Sequence, residues 1–192
     1  MHTSESMIPG RVYRTRELRA FSANPTRWAR ALVARGELRK LAQGLYSRPE
    51  RTFFGAVPPA EQEVLRAFFG SHKFLLTGPY YWNALDLGAT TLWAVSLVYN
   101  DQRTCEVTLG GQRYLLRRTR FPIAPSAEWY VVDFLHNIDA AGADPDLAEA
   151  LLVRALKRGR FDLARLRATT VEYARPEVRA RILRAIAAVE KS

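Results

Sequence analysis

Apolar positions come first in short, broken groups and later at helical spacing, and the residues between them mark the expected elements. Leu18 and Phe21 fall on one side of a short helix beginning near Arg16, with Thr15 as its capping residue. In Ser22-Ala23-Asn24-Pro25 a polar residue precedes a proline, a helix start, and Gly36 supplies the end, so a second helix is expected from Pro25 to about Arg35. Leu38 to Leu41 and Leu45 to Ser47 read as short strands joined by the turn Ala42-Gln43-Gly44. Residues 49–59, with Pro49, Gly55, Pro58 and Pro59, read as an irregular linker.

Helical spacing returns over 60–69 at Val64, Leu65, Phe68 and Phe69. A short strand is expected over Phe74 to Thr77, and a helix from Tyr80 to Leu87 that ends at Gly88. Trp93 to Tyr99 is strand-like, Asn100-Asp101 a turn, and Arg103 to Leu109 and Gln112 to Phe121 form a hairpin about Gly110-Gly111. The remainder is helical: Trp129 to Ala140, Asp144-Pro145 to Gly159, a short helix around Phe161, Leu163 and Leu166, and a last helix after Arg175-Pro176. The expected fold class is α+β. A winged helix-turn-helix over residues 1–52 precedes a mixed domain over 53–192, with a small antiparallel sheet and C-terminal helices.

Charge sharpens this division. The 192 residues carry 29 Lys and Arg against 19 Asp and Glu, a formal +10. Residues 1–52 account for +7, residues 53–147 for −3 and residues 148–192 for +6. Clustered charge makes a local potential that dispersed charge does not, so a polyanionic partner is expected. At about 100° per residue, Pro25, Trp28, Ala29, Leu32 and Val33 share one side of the second helix. Arg27, Arg30, Ala31 and Ala34 share the other, with Thr26 and Arg35 at the flanks. That basic face carries short side chains between its arginines and suits close approach to the DNA major groove. Arg39, Lys40, Gln43 and Arg48 on the wing are placed for phosphate or the minor groove, and Arg14, Thr15 and Arg16 for a phosphate at the start of the first helix. The competing reading is a small helical domain with a solvated arginine face.

Tyr13 to Leu18, Trp28 through Arg35-Gly36-Glu37-Leu38-Arg39-Lys40-Leu41, then Gly44-Leu45-Tyr46 and Pro49, resemble the N-terminal winged helix of the AbiEi antitoxin family. These are antitoxins of abortive-infection, type IV toxin–antitoxin pairs. Thr77-Gly78 with Ala84-Leu85-x-Leu87-Gly88-x-Thr90-Thr91, and Ala174-Arg175-Pro176-Glu177-Val178-Arg179, are similar to later segments of the family. The resemblance implies a repressor that binds its own promoter as double-stranded DNA and helps neutralise a nucleotidyltransferase toxin. By position, Thr26, Arg27 and Arg30 correspond to the family's recognition helix and Arg39, Lys40 and Gln43 to its wing. One departure is that only Met1 to Pro9 precede the strand at Val12-Tyr13, too short and polar for the helix that normally opens a winged helix. Either the start is truncated, or another element is expected to cover that side of the core.

Other chemistry is sparse. Asp133-x-x-His136-x-x-Asp139 drifts around a helix and reads as a polar face rather than a metal site. Cys105, the single cysteine, excludes an intramolecular disulfide and reads as a buried thiol. Trp82, Trp93 and Trp129 with Tyr80, Tyr81 and Tyr130 read as core before base-stacking surface. No cofactor is expected, and no enzymatic activity. Arg154, Lys157, Arg158, Arg179, Arg181 and Arg184 form a C-terminal basic cluster, a candidate partner-binding surface whose competing reading is a solvated helix face. The longest apolar run, Leu92 to Tyr99, is far below a membrane span, and the N-terminus lacks a signal-peptide pattern, so a cytoplasmic, non-membrane protein is expected. Two other functions fit the same features: a stand-alone regulator whose second domain binds a ligand or protein, and a nucleic-acid-processing enzyme delivered by its winged helix.

Overall fold

A computed structural model describes residues 6–91 and 95–191. His2, and Trp93 at the start of an expected strand, lie outside the described residues. The fold is α+β, with small antiparallel sheets and a helical C-terminal part. The chain divides into two compact units, residues 1–74 with 106–114 and residues 75–105 with 115–192. The composition shift at residue 52 falls inside the first of these.

In the first unit, β1 (Val12–Arg14) is followed by a single 3-10 turn (Glu17–Ala20), then α1 (Pro25–Ala34), β2 (Arg39–Ala42) and β3 (Leu45–Ser47). The three strands form one sheet in the order β1-β3-β2. Tyr13 lies opposite Tyr46, and β2 slips by one residue between Lys40 and Ala42. The Asn24 side chain accepts the Arg27 N–H, Pro25 fills the first turn of α1, and Gly36 takes a left-handed φ of 71° just past its end. Thr15 does not cap a helix: the turn begins at Arg16 with no side-chain cap. The segment at Met7 covers the core, its side chain buried with Tyr13, Leu18, Ala29, Leu32, Leu38 and Tyr46. The Tyr13 hydroxyl accepts the Ile8 N–H at 2.8 Å, and Arg48 donates to the Met7 carbonyl.

Residues 50–57, expected to be irregular, form a second hairpin of β4 (Glu50–Thr52) and β5 (Gly55–Val57). Gly55, at φ 114°, supplies the backbone conformation that closes its Phe53-Phe54 turn. Next comes α2 (Glu61–Phe69), which packs on β1.

A four-stranded sheet follows, β6 (Phe74–Thr77), β7 (Val95–Asn100), β8 (Cys105–Leu109) and β9 (Gln112–Arg118), in the order β6-β7-β9-β8. Strand β8 starts later than the alternation suggests, because the Asn100 side chain accepts the Gln102 and Arg103 N–H groups and folds that stretch into a turn. Between β6 and β7 lies α3 (Pro79–Asn83), shorter than the helix expected to reach Leu87. Arg160 holds the Ala84 carbonyl and the Asp86 carboxylate there, and Asp86 is left-handed at φ 53°. The four C-terminal helices are α4 (Ala127–His136), α5 (Pro145–Lys157), α6 (Leu163–Tyr173) and α7 (Pro176–Glu190). Ser126, Asp144 and Asp162 cap the first three through their side chains. Trp82, Leu97, Val131, Phe134, Leu152, Leu166, Ile182 and Ile186 anchor the core of this unit. Among the described residues, no helix is long and apolar enough to cross a membrane.

Candidate functional site

The first unit presents the basic helix face expected from the sequence. Ala29 and Leu32 are fully buried and Trp28 and Val33 partly so, which turns α1's other side outward. Thr26, Arg27, Arg30, Ala31, Ala34 and Arg35 are exposed. Arg35 pairs with Glu37 at 2.6 Å. Between the arginines the surface is short-chained, so the backbone can come close to a partner while the guanidinium groups extend from it.

The other basic residues divide between surface and scaffold. On β2 and its turn, Arg39, Lys40 and Gln43 are exposed, and Lys40 donates to the Gln43 side chain at 3.2 Å. Arg39 reaches the Gly110 carbonyl at 3.4 Å, and the Gly110 N–H donates to the Leu41 carbonyl at 2.8 Å. Arg48 is half-buried and bonds to Met7, so it braces the core. Arg14 is half-buried too and donates to the Phe68 carbonyl at 2.6 Å, closing the last turn of α2. Thr15 Oγ1 lies against Gly44, while Arg16 is exposed. Arg11, Arg14, Arg16 and Arg66 line one surface depression with Glu17 and Glu63. Arg11 and Arg66 are additions to the expected set, since their meeting with Arg14 depends on α2 packing against β1.

Within the second unit three of the six residues of the C-terminal cluster, Arg179, Arg181 and Arg184, make ties within the unit. Arg184 makes a two-pronged pair with Glu149, at 2.9 and 3.1 Å. Arg181 binds the same carboxylate and the Pro145 carbonyl, at 2.9 and 2.8 Å. Arg179 donates to the Val171 and Ala174 carbonyls at the end of α6. These three tie α7 to α5 and α6. Arg154, Lys157 and Arg158 are exposed along the last turn of α5.

Sequence reasoning missed a polar centre in this unit. Asp133 is 1 % exposed, yet it lies among Val131, Val132, Phe134 and Leu135, all buried. Its carboxylate accepts from Thr77 Oγ1 at 2.5 Å, Trp82 Nε1 at 2.7 Å and the Tyr99 hydroxyl at 2.5 Å. Asn137 Nδ2 donates to the Tyr99 oxygen at 2.9 Å, and Asn137 Oδ1 accepts from Arg117 at 2.7 Å. Burial pushes the Asp133 carboxyl up from its usual range, and the donors from Thr77, Tyr99 and Trp82 oppose that shift. A carboxylate in an otherwise apolar helical stretch was the available signal; its partners, 34 to 56 residues away, were not.

The three residues of the 133–139 series go to different places. Asp133 is consumed by this centre and Asp139 is exposed. His136 Nε2 accepts the Arg175 N–H at 3.1 Å, which puts the ring proton on Nδ1, and the Arg175 guanidinium holds the His136 carbonyl. Burial, then the Arg175 charge, lower the imidazole to about 4. An unfolded histidine titrates near about 6.5, so between those values the unfolded chain binds the extra proton. The contribution of His136 is therefore complete above about 6.5 and lost as pH falls toward about 4. The urea midpoint of the wild type should fall more between pH 7 and pH 5 than that of His136→Gln; equal slopes would refute this assignment.

No family model matches the chain, and no curated protein or solved structure shows significant similarity to it.

Proposed function

We propose that this protein is a DNA-binding repressor of the AbiEi-antitoxin type, with a winged-helix-like N-terminal unit that reads its own promoter. Its second unit then serves to counteract a nucleotidyltransferase toxin, without enzymatic activity of its own. The observation that carries the DNA reading is the exposed face of α1, where Thr26, Arg27, Arg30, Ala31 and Ala34 stand opposite the buried Ala29 and Leu32. Guanidinium groups on such a face can pair bidentately with guanine edges or phosphates. Arg39, Lys40 and Gln43 on the adjoining hairpin supply phosphate contacts on this reading. The antitoxin role rests on the sequence resemblance.

The test is titration of a labelled duplex, taken from upstream of the reading frame, at two salt concentrations. Four phosphate contacts would weaken binding about a hundredfold between 50 and 200 mM salt. Absence of binding at low salt, or binding indifferent to salt, would overturn the DNA reading. Coexpression with a nucleotidyltransferase encoded beside it tests the second part: growth should be restored in its presence, and unrelieved toxicity would remove the antitoxin role.

A further inference from the structure

The least expected surface feature of the first unit is the tip of the β4–β5 hairpin. Phe53 and Phe54 are 97 % and 96 % exposed, side by side, with ring centroids 5.5 Å apart and planes at 90°. All six strand residues of the hairpin are exposed as well, so the ribbon stands away from the core on both faces. The ribbon is nevertheless ordered: Glu50 pairs with Val57, Arg51 with Ala56 and Thr52 with Gly55, and Thr52 Oγ1 donates to the Gly55 carbonyl at 3.2 Å. Its base is tied to the helix carrying the basic face, because Arg51 donates to the Gly36 carbonyl just beyond α1 at 3.3 Å.

We propose that Phe53 and Phe54 form an aromatic wedge that enters a base step of the DNA bound by this unit. The proposal rests on the DNA-binding reading above and adds how the duplex is engaged. Two solvent-exposed phenyl rings oppose solubility, so a partner that covers them is the natural account of their presence. A protein interface needs roughly 800 Å² from each partner, whereas two phenyl side chains offer about 150–250 Å² each. Exposed Val57 adds little to that patch. A gap between unstacked bases needs no more than one or two rings. Each base also presents a flat face on which an aromatic ring can stack. Glu50 and Arg51 cancel, so the ribbon has no net charge to draw it to DNA. Attraction comes from the +7 of residues 1–52 as a whole, and the tip contributes stacking and distortion.

The experiment compares the full chain with Phe53→Ser/Phe54→Ser on a duplex from upstream of the reading frame, labelled at both ends for energy transfer. The wild type should shorten the end-to-end distance, as wedges kink DNA by about 20–90°. The double variant should lose the bend and bind about tenfold or more weakly. Its melting temperature should be unchanged, and so should its salt dependence, since no cation is removed. Equal bend and affinity in the two proteins would overturn the wedge while leaving the DNA reading intact. No binding by the wild type at low salt would overturn both. A wild-type dimer that the serine variant converts to monomers in sedimentation would also overturn the wedge and assign the tip to self-association.

Discussion

Replacing Asp133 with alanine should lower stability by about 3–5 kcal/mol, because it strands several buried hydrogen-bond donors at once. The loss has an identifiable source. Thr77, Trp82 and Tyr99 all donate to this carboxylate, and the indole N–H of Trp82, itself fully buried, can only donate. Each stranded donor costs about 1–3 kcal/mol, and Asn137 would lose its alignment as Tyr99 shifts. Asp133→Asn should be milder, because its Oδ1 still accepts and a Thr77 or Tyr99 hydroxyl can turn to receive its amide, which leaves the Trp82 indole as the one partner that cannot. Urea unfolding followed by tryptophan fluorescence measures both. A loss below about 1 kcal/mol for the alanine variant would mean that water replaces the carboxylate and that the centre is more open than its burial indicates.

The second large effect is on binding. Arg27→Ala combined with Arg30→Ala should weaken duplex affinity by about 1–3 kcal/mol for each side chain that makes a bidentate base contact. Where an arginine instead meets a phosphate, the salt slope should drop by about one. Both side chains are exposed, and Arg27 serves the Asn24 cap only through its backbone N–H, which alanine keeps, so unfolding should change by no more than about 0.5 kcal/mol. Arg14→Ala is the informative contrast. It removes the donor to the Phe68 carbonyl and should destabilise the fold even where binding is unaffected. If the double alanine variant binds like the wild type, α1 is not the reading element.

Elements with local punctuation were readable from the sequence. Asn24-Pro25 and Gly36 bracket α1, Gly110-Gly111 closes its hairpin, and Asp144-Pro145 opens α5. The β4–β5 hairpin was not readable, because period-two alternation arises only when one face of a strand is buried, and here neither is. Of the candidate site, the outward face of α1 followed from helical geometry. The roles of Arg14, Arg48, Arg179 and Arg181 did not, since each is decided by a carbonyl or carboxylate that tertiary packing brings near. The length of the sequence between Asp133 and its donors hid that centre for the same reason.

That separation also sets an order of events in folding. Thr77, Trp82 and Tyr99 precede Asp133 by 56, 51 and 34 residues, so their shared acceptor emerges from a ribosome long after they do. Until α4 docks, the carboxylate that Thr77, Trp82 and Tyr99 share is missing from β6, α3 and β7. Closing loops of this length costs entropy before any contact repays it, which makes assembly of the second unit a late, cooperative step. A chain that ends short of residue 133 should therefore leave this part unfolded, whatever the first unit has already achieved.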